Sequence, residues 1–286
     1  MLALSACGDD AAKVGEGVGD RIDVVANFYP VAEAATRIGG DRVRVTNLTP
    51  AGAEPHDIEL TTRQLDKLED ANLVLYFGRG FQPAVEKVAE RRDAPSLDLL
   101  EKIDLAPDDK GGVDPHFWLD PNLMAEAVKA IVDALVVASP ADTSVFRTNA
   151  ARYEEELRAL DVELQGGLAV CERREIVTSH YAFFYLARRY GLEQLAVAGL
   201  SPEAEPDAGR LASLSDQIKA KGVTTVFYED LVSPRVARAL AREAGVKTAV
   251  LSPLEGLSKD QADAGKDYNA VMRDNLVALR GALACQ

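Results

Sequence analysis

The chain has 286 residues and a formal net charge of −14. A length of this order can bury a large core in one or two domains, whereas the excess of acid argues against a nucleic-acid surface, which needs clustered Lys and Arg. No apolar run approaches the ~20 residues needed to span a bilayer.

In chain order, the first feature is "LSACG", small residues ahead of Cys7. It resembles a bacterial lipobox, in which the Cys becomes the acylated first residue of the mature protein. Only six residues precede it and none is basic, short of the charged and apolar regions of a working signal peptide. The start is therefore expected to be truncated or misassigned. Residues 8–20, "GDDAAKVGEGVGD", read as a Gly-rich acidic tether with nothing to pack. Lipobox and tether together make up 1–20.

From residue 21 strands and helices alternate. "RIDVVANF" predicts a buried strand and "YPVAEAATRIGG" a helix ended by glycines. "RVRVTNL" is the next strand, "TTRQLDKLEDA" a helix with a Thr N-cap, "NLVLYFG" an apolar strand and "FQPAVEKVAERR" a helix. After a loop, "DPNLMAEAVKAIVDALVVAS" is a long amphipathic helix with Asp120 as its N-cap. Residues 21–140 are read as an N-terminal lobe. Residues 141–170 predict one long charged helix without proline, its apolar stripe formed by Tyr153, Leu157, Leu160 and Leu164. It is read as a rigid connector, with an ordinary helix of one larger domain as the alternative. Residues 171–286 repeat the rhythm as a C-terminal lobe, in which "EIVTS", "LEQLAVAG", "TTVFYED" and "KTAVLSP" predict strands. The fold class is thus α/β, two lobes with mainly parallel sheets flanked by helices and joined by one long helix.

The chain has three histidines: His56 in "AEPHDIEL", His116 in "VDPHFWLDP" and His180 in "IVTSHYAFFYLA". Each falls in a strand-to-helix loop, and in sheets of this class ligands bind outside the carboxyl ends of the strands. Imidazole nitrogen is the usual ligand for zinc, whose closed sites are tetrahedral. A fourth donor is needed. Glu229, ending "TTVFYE", and Glu255, in "LSPLEGL", both stand near strand ends, and the pattern alone does not separate them. Three histidines with an open water position would instead suit a zinc hydrolase. No HExxH helix, G-x-S-x-G elbow, Walker loop or Rossmann fingerprint accompanies them. Cys171 and Cys285 are an even pair, which in an exported chain suggests a disulfide, with two separate thiols as the alternative.

These segments resemble the solute-binding proteins of bacterial zinc and manganese ABC transporters. "TPAGAEPHDIELTTRQLDKLEDANLVLYFGRGFQPAV", "DPHFWLDPNLM" and "TSHYAFFYLARRYGL" are similar to the family's first three ligand segments, and the likeness continues through "VFYEDLVSPRVARALAREAG" and "LSPLEGL" over residues 22–283. The resemblance implies His56, His116 and His180 as ligands. Where many members carry a fourth-ligand Asp, this chain has Ser252. A zinc-binding branch carries Glu in a segment matching "SPLEGL", which points to Glu255 and leaves Glu229 to hydrogen bonding behind the site or between lobes. His180 in place of the Glu common in manganese carriers favours Zn(II) over manganese. The short "EKIDLAPDDKGGV" lacks the histidine-rich insertion of many zinc carriers. The implied protein is not an enzyme. It is an extracytoplasmic monomer, lipid-anchored through Cys7 at the periplasmic or cell-surface side. It would capture Zn(II) directly or from a metallochaperone, deliver it to an ABC permease in the membrane, and bind no nucleic acid.

Overall fold

The computed structural model describes residues 21–56, 58–107, 112–202 and 206–286. Cys7 and the tether lie outside them.

The first half of the chain forms a four-stranded parallel sheet ordered β2-β1-β3-β4, from β1 (Ile22–Ala26), β2 (Val43–Asn47), β3 (Leu73–Tyr76) and β4 (Ser96–Asp98). The second half repeats the order as β6-β5-β7-β8, from β5 (Glu175–Thr178), β6 (Glu193–Ala196), β7 (Thr225–Tyr228) and β8 (Lys247–Val250). Helices α1 (Tyr29–Gly39), α2 (Thr62–Asp70), α3 (Pro83–Ala89) and α4 (Pro121–Ala138) belong to the first half. Then come α5 (Thr143–Leu168), α6 (Phe184–Tyr190), α7 (Ala208–Lys221), α8 (Arg235–Ala244), α9 (Lys259–Asp263) and α10 (Tyr268–Leu283).

Strand periodicity distributes the core. Along β1 and β3, Val24, Ala26, Leu73 and Leu75 enter one apolar cluster, while Val25, Val74 and Tyr76 enter another with Val85 and Val88 of α3. In the second sheet Val177 and Val226 pack on Leu214, Ile218 and Leu240 of α7 and α8, whereas Ile176 and Phe227 face the opposite way. The inner faces of both sheets contribute to one continuous cluster that also holds residues of α1, α4, α5, α6 and α10. The 26-residue α5 lies along this shared interior, with Tyr153, Leu157, Leu160 and Leu164 buried, in contact with α1 and α4 of one half and α6 and α10 of the other. It is a helix of the common core as much as a connector.

One predicted boundary moves and two elements are new. The helix expected to start at Tyr181 begins at Phe184, because residues 179–183 form the turn that presents His180. Strand β4 has only three residues, all half-buried, and gives no apolar run to read. Helix α9 is fixed by a capping box in which Ser258 and Gln261 satisfy each other's backbone N–H. Asp120 caps α4 by accepting from Asn122 N, and Thr61 caps α2. Cys171 and Cys285 are joined in a disulfide at the end of β5 away from His180. Among the described residues no helix is long and apolar enough to cross a membrane.

Candidate metal centre

The carboxyl ends of the two sheets face a common site. His180 follows β5 by two residues, His56 lies in the loop between β2 and α2, His116 in the loop before α4, and Glu255 in the loop after β8. The four side chains bring one ligand atom each within 4.8 Å of one another. Glu255 Oε1 stands 3.2 Å from His56 Nε2, 3.2 Å from His116 Nε2 and 3.3 Å from His180 Nε2, and the last two nitrogens are 3.4 Å apart. Tetrahedral zinc with bonds of about 2.0–2.1 Å sets its ligand atoms about 3.3–3.4 Å apart. Four of the six edges therefore already have the spacing of a closed tetrahedral cage. The remaining two both run to His56.

Burial divides the four residues. His116, His180 and Glu255 are buried, with 0 to 1% of each side chain exposed, whereas His56 keeps 13%. A cavity of about 390 Å³ has His56, Arg79, Phe81, Pro115 and Leu200 in its wall, so solvent reaches the cage on the His56 side. Phe81 packs edge-on against the His56 ring, 4.7 Å between centroids, and Trp118 lies tilted against His116 at 5.1 Å.

Carboxylates behind the buried rings select the inward-facing nitrogen. Asp114 Oδ1 accepts from His116 Nδ1 at 2.7 Å, and Glu229 Oε1 from His180 Nδ1 at 2.7 Å. With the proton on Nδ1, the Nε2 lone pair points into the cage, an arrangement usual for metal-binding histidine. The pairing follows from topology: β5 and β7 are neighbours, with Val177 beside Val226, so the residues just past their ends meet. The peptide oxygen of His180 is held by Thr178 Oγ1 and Gln194 Nε2. Tyr185 on α6 donates to the Asp114 carbonyl oxygen at 2.9 Å, linking the second half to the His116 loop.

Without a cation the site holds opposing charge tendencies. Burial disfavours charge on His116, but Asp114 and Glu255 outweigh it and lift its pKa above the ordinary value. Burial also opposes charge on His180, and Glu229 with Glu255 raises it well above. Glu255 is buried too, yet His180, His116 and His56 hold its carboxyl well below the usual range. Burial and the neighbouring Glu255 push the Glu54 carboxyl up to about 8.

Of the candidates read from sequence, His56, His116, His180 and Glu255 meet in one cluster, and Glu229 stands behind His180. Ser252 stays outside: its N–H donates to Asn275 Oδ1 and its Oγ accepts from Leu254 N, bracing the loop ahead of Glu255. Leu254, buried, has φ of 56°, a strained conformation for a branched side chain immediately before the ligand. The sequence reading passed over Asp114 and Glu54. A signal was present, since both stand two residues before a histidine in an acid-Pro-His triplet.

Three imidazoles and one carboxylate meet between two parallel-sheet lobes packed around a single long helix, a donor set that could hold a transition-metal ion. The chain belongs to the family described as ZnuA, zinc-uptake complex component A periplasmic, whose profile matches residues 24–282. It is 36% identical to the zinc-binding lipoprotein AdcA of Streptococcus pneumoniae over 296 residues, 98% of this chain and 58% of that protein. To the high-affinity zinc uptake system protein ZnuA of Bacillus subtilis it is 36% identical over 301 residues, covering 99% of this chain and 94% of that one. The chain thus spans little more than half of AdcA but nearly all of the Bacillus protein. Its fold superposes on the crystal structure of the Zn(II)-bound ZnuA-like domain of S. pneumoniae AdcA with a TM-score of 0.81 at 36% identity, over 92% of this chain and 99% of that domain.

Proposed function

We propose that the chain is a high-affinity Zn(II) carrier, held outside the cytoplasm by a lipid on Cys7, that captures the ion and delivers it to an ABC permease. The observation that carries this reading is the cluster itself, three Nε2 atoms and one carboxylate oxygen with four of their six separations at tetrahedral spacing. A nitrogen-rich, four-donor closed site suits zinc, while the harder manganese ion favours oxygen and more ligands. His56, His116, His180 and Glu255 are the proposed ligands, Glu229 and Asp114 the groups that orient them. Residues 21–140 supply the first two histidines, 171–286 the last with Glu255, and 141–170 the helix between. A cage with all four positions taken by protein leaves no site for a reactive water, which supports carriage over hydrolysis. The relatives' names, a zinc-binding lipoprotein and a zinc uptake system protein, agree with that role.

The test is a chelator-stripped protein reloaded with Zn(II) and examined by X-ray absorption and competition titration. Three nitrogen and one oxygen neighbours with tight, stoichiometric binding are expected. A water in the fourth position together with ester or amide turnover would replace this reading with a hydrolytic one, and preferential retention of Mn(II) with a manganese carrier.

A further inference from the structure

The three cage histidines share one anchoring device, complete in two of them. Asp114 Oδ1 accepts both the backbone N–H of His116, at 2.9 Å, and its ring Nδ1, at 2.7 Å. Glu229 Oε1 does the same for His180, at 3.2 and 2.7 Å. One carboxylate oxygen thereby fixes both where the residue sits and how its ring is turned. His56 has the first half only. Glu54 Oε1 accepts its backbone N–H at 3.0 Å, but the ring Nδ1 makes no bond to that carboxylate, and Glu54 Oε2 is buried without a hydrogen-bond partner.

The local sequence explains the likeness and the difference. Glu54-Pro55-His56 and Asp114-Pro115-His116 are the same triplet, in which proline sets the turn that lets the acid accept the N–H two residues on. Glutamate has one methylene more than aspartate, so Glu54 can grip the backbone N–H without also engaging the ring Nδ1. That ring belongs to the most exposed of the four groups, and its centroid stands 6.0 and 6.4 Å from those of His116 and His180, which are themselves 5.3 Å apart.

Resting on the zinc-carrier reading, we propose that Glu54 is the positioning residue of His56. On capture, the His56 Nδ1–H closes onto Glu54 and completes the third anchor. On release, that bond parts first, and His56 swings toward the solvent side while His116, His180 and Glu255 stay in place. A carboxylate behind a ligating imidazole raises its basicity and holds its tautomer, and losing such a partner costs about 10–100-fold in metal affinity.

The experiment compares wild-type protein with Glu54→Ala, Glu54→Gln and Glu54→Asp, using Zn(II) itself as probe. Affinity is read by competition, dissociation by stopped flow into a chelator, and the His56 ring by 15N-resolved proton spectra. Glu54→Ala should bind about 10–100-fold more weakly, almost all of it as faster dissociation. Glu54→Asp should recover most of the loss, and Glu54→Gln, which keeps the shape and folds alike, should fall between. A slowly exchanging His56 Nδ1–H should appear in the zinc-loaded wild type and be absent from loaded Glu54→Ala. Wild-type binding with Glu54→Ala unchanged within twofold in affinity and dissociation would overturn this inference alone, as would a freely exchanging His56 Nδ1–H in the loaded wild type. A wild type that takes up no zinc would overturn the carrier reading, and this inference with it.

Discussion

Trp118 Nε1 donates to the carbonyl oxygen of Pro253 at 2.8 Å, and both residues are buried. Trp118 lies two positions after His116 and Pro253 two before Glu255, so one bond fixes the His116 loop of the first half against the Glu255 loop of the second. The indole also packs on Phe28 and Phe77, at 4.9 and 5.7 Å between centroids. Two proposed ligands from opposite halves are thus registered by a residue outside the four-residue cluster.

Trp118→Phe keeps an aromatic ring but leaves the Pro253 oxygen without its partner. A buried acceptor so stranded costs about 1–3 kcal/mol, and filling the indole's volume with a smaller ring adds to that. Denaturant unfolding of the metal-free protein should show the loss. Zinc binding should weaken as well, because His116 and Glu255 lose their register. Unchanged affinity in this variant would mean that the two loops are held elsewhere.

The metal-free and zinc-loaded proteins should answer pH in opposite senses. His116 and His180 have folded-state pKa values raised by their carboxylate partners against the effect of burial. A histidine of that kind adds stability that is fully present below its unfolded value of about 6.5 and is lost as pH rises through the folded value. The metal-free melting temperature should therefore fall on going from pH of about 6.5 upward. Zinc needs both rings deprotonated, so its affinity should rise over the same range. Scanning calorimetry with and without zinc at pH of about 6 and about 8 tests this. A loaded-minus-empty difference that stayed constant would count against the assignment of these rings as ligands.

Asp161 on α5 accepts Arg189 Nε and Nη2, each at 2.7 Å, and Tyr190 OH at 2.9 Å, tying α6 to the long helix. The bonds from Arg189 hold its carboxyl below the ordinary value despite some burial. Asp161→Ala should destabilise by about 1–3 kcal/mol, discounted toward the lower end because Arg189 can be rehydrated. A depressed Asp contributes stability above its unfolded pKa of about 3.9 and loses it as pH falls through the folded value. The gap between wild type and variant should accordingly close in acid.

The Cys171–Cys285 disulfide links residues 114 apart in sequence. In the chain-entropy view a loop of ~100 residues is worth roughly 4–5 kcal/mol, and native disulfides in practice 2–5. Replacing both cysteines by serine should lower unfolding stability by an amount in that range. Zinc affinity should hardly change, since the bridge lies at the end of β5 opposite His180. A matching loss of affinity would show that the two ends of that strand are coupled.

Much of this architecture could be read from the chain because its central strands β1, β3, β5 and β7 are mostly buried and its helices are amphipathic. "NLVLYFG" and "EIVTS" have few other uses, and His180 directly follows the second of them. What escaped was short or local. "SLD" of β4 carries no apolar pattern, and α9 rests on a four-residue capping box. Choosing Glu255 over Glu229 needed resemblance, since both stand beyond strands and only the β5–β7 adjacency puts Glu229 behind His180. Asp114 and Glu54 were legible in principle as acid-Pro-His triplets. Nothing in the sequence marks Leu254 as the strained residue that aims Glu255, because positive φ at leucine has no compositional sign.

The single interior that runs from one sheet to the other past α5 also limits what a membrane partner can sense. Parting the halves would expose Leu157, Leu160 and Leu164 with their neighbours on α1 and α10 to water, and each buried leucine so uncovered costs about 1.5–3 kcal/mol. A clamshell opening is therefore too expensive to serve as the message that cargo is aboard. On the carrier reading proposed above, cargo status would be written at the rim, in the few loops around His56 and Glu255, and a permease that distinguished full from empty would read that small patch of surface and not the silhouette of the molecule.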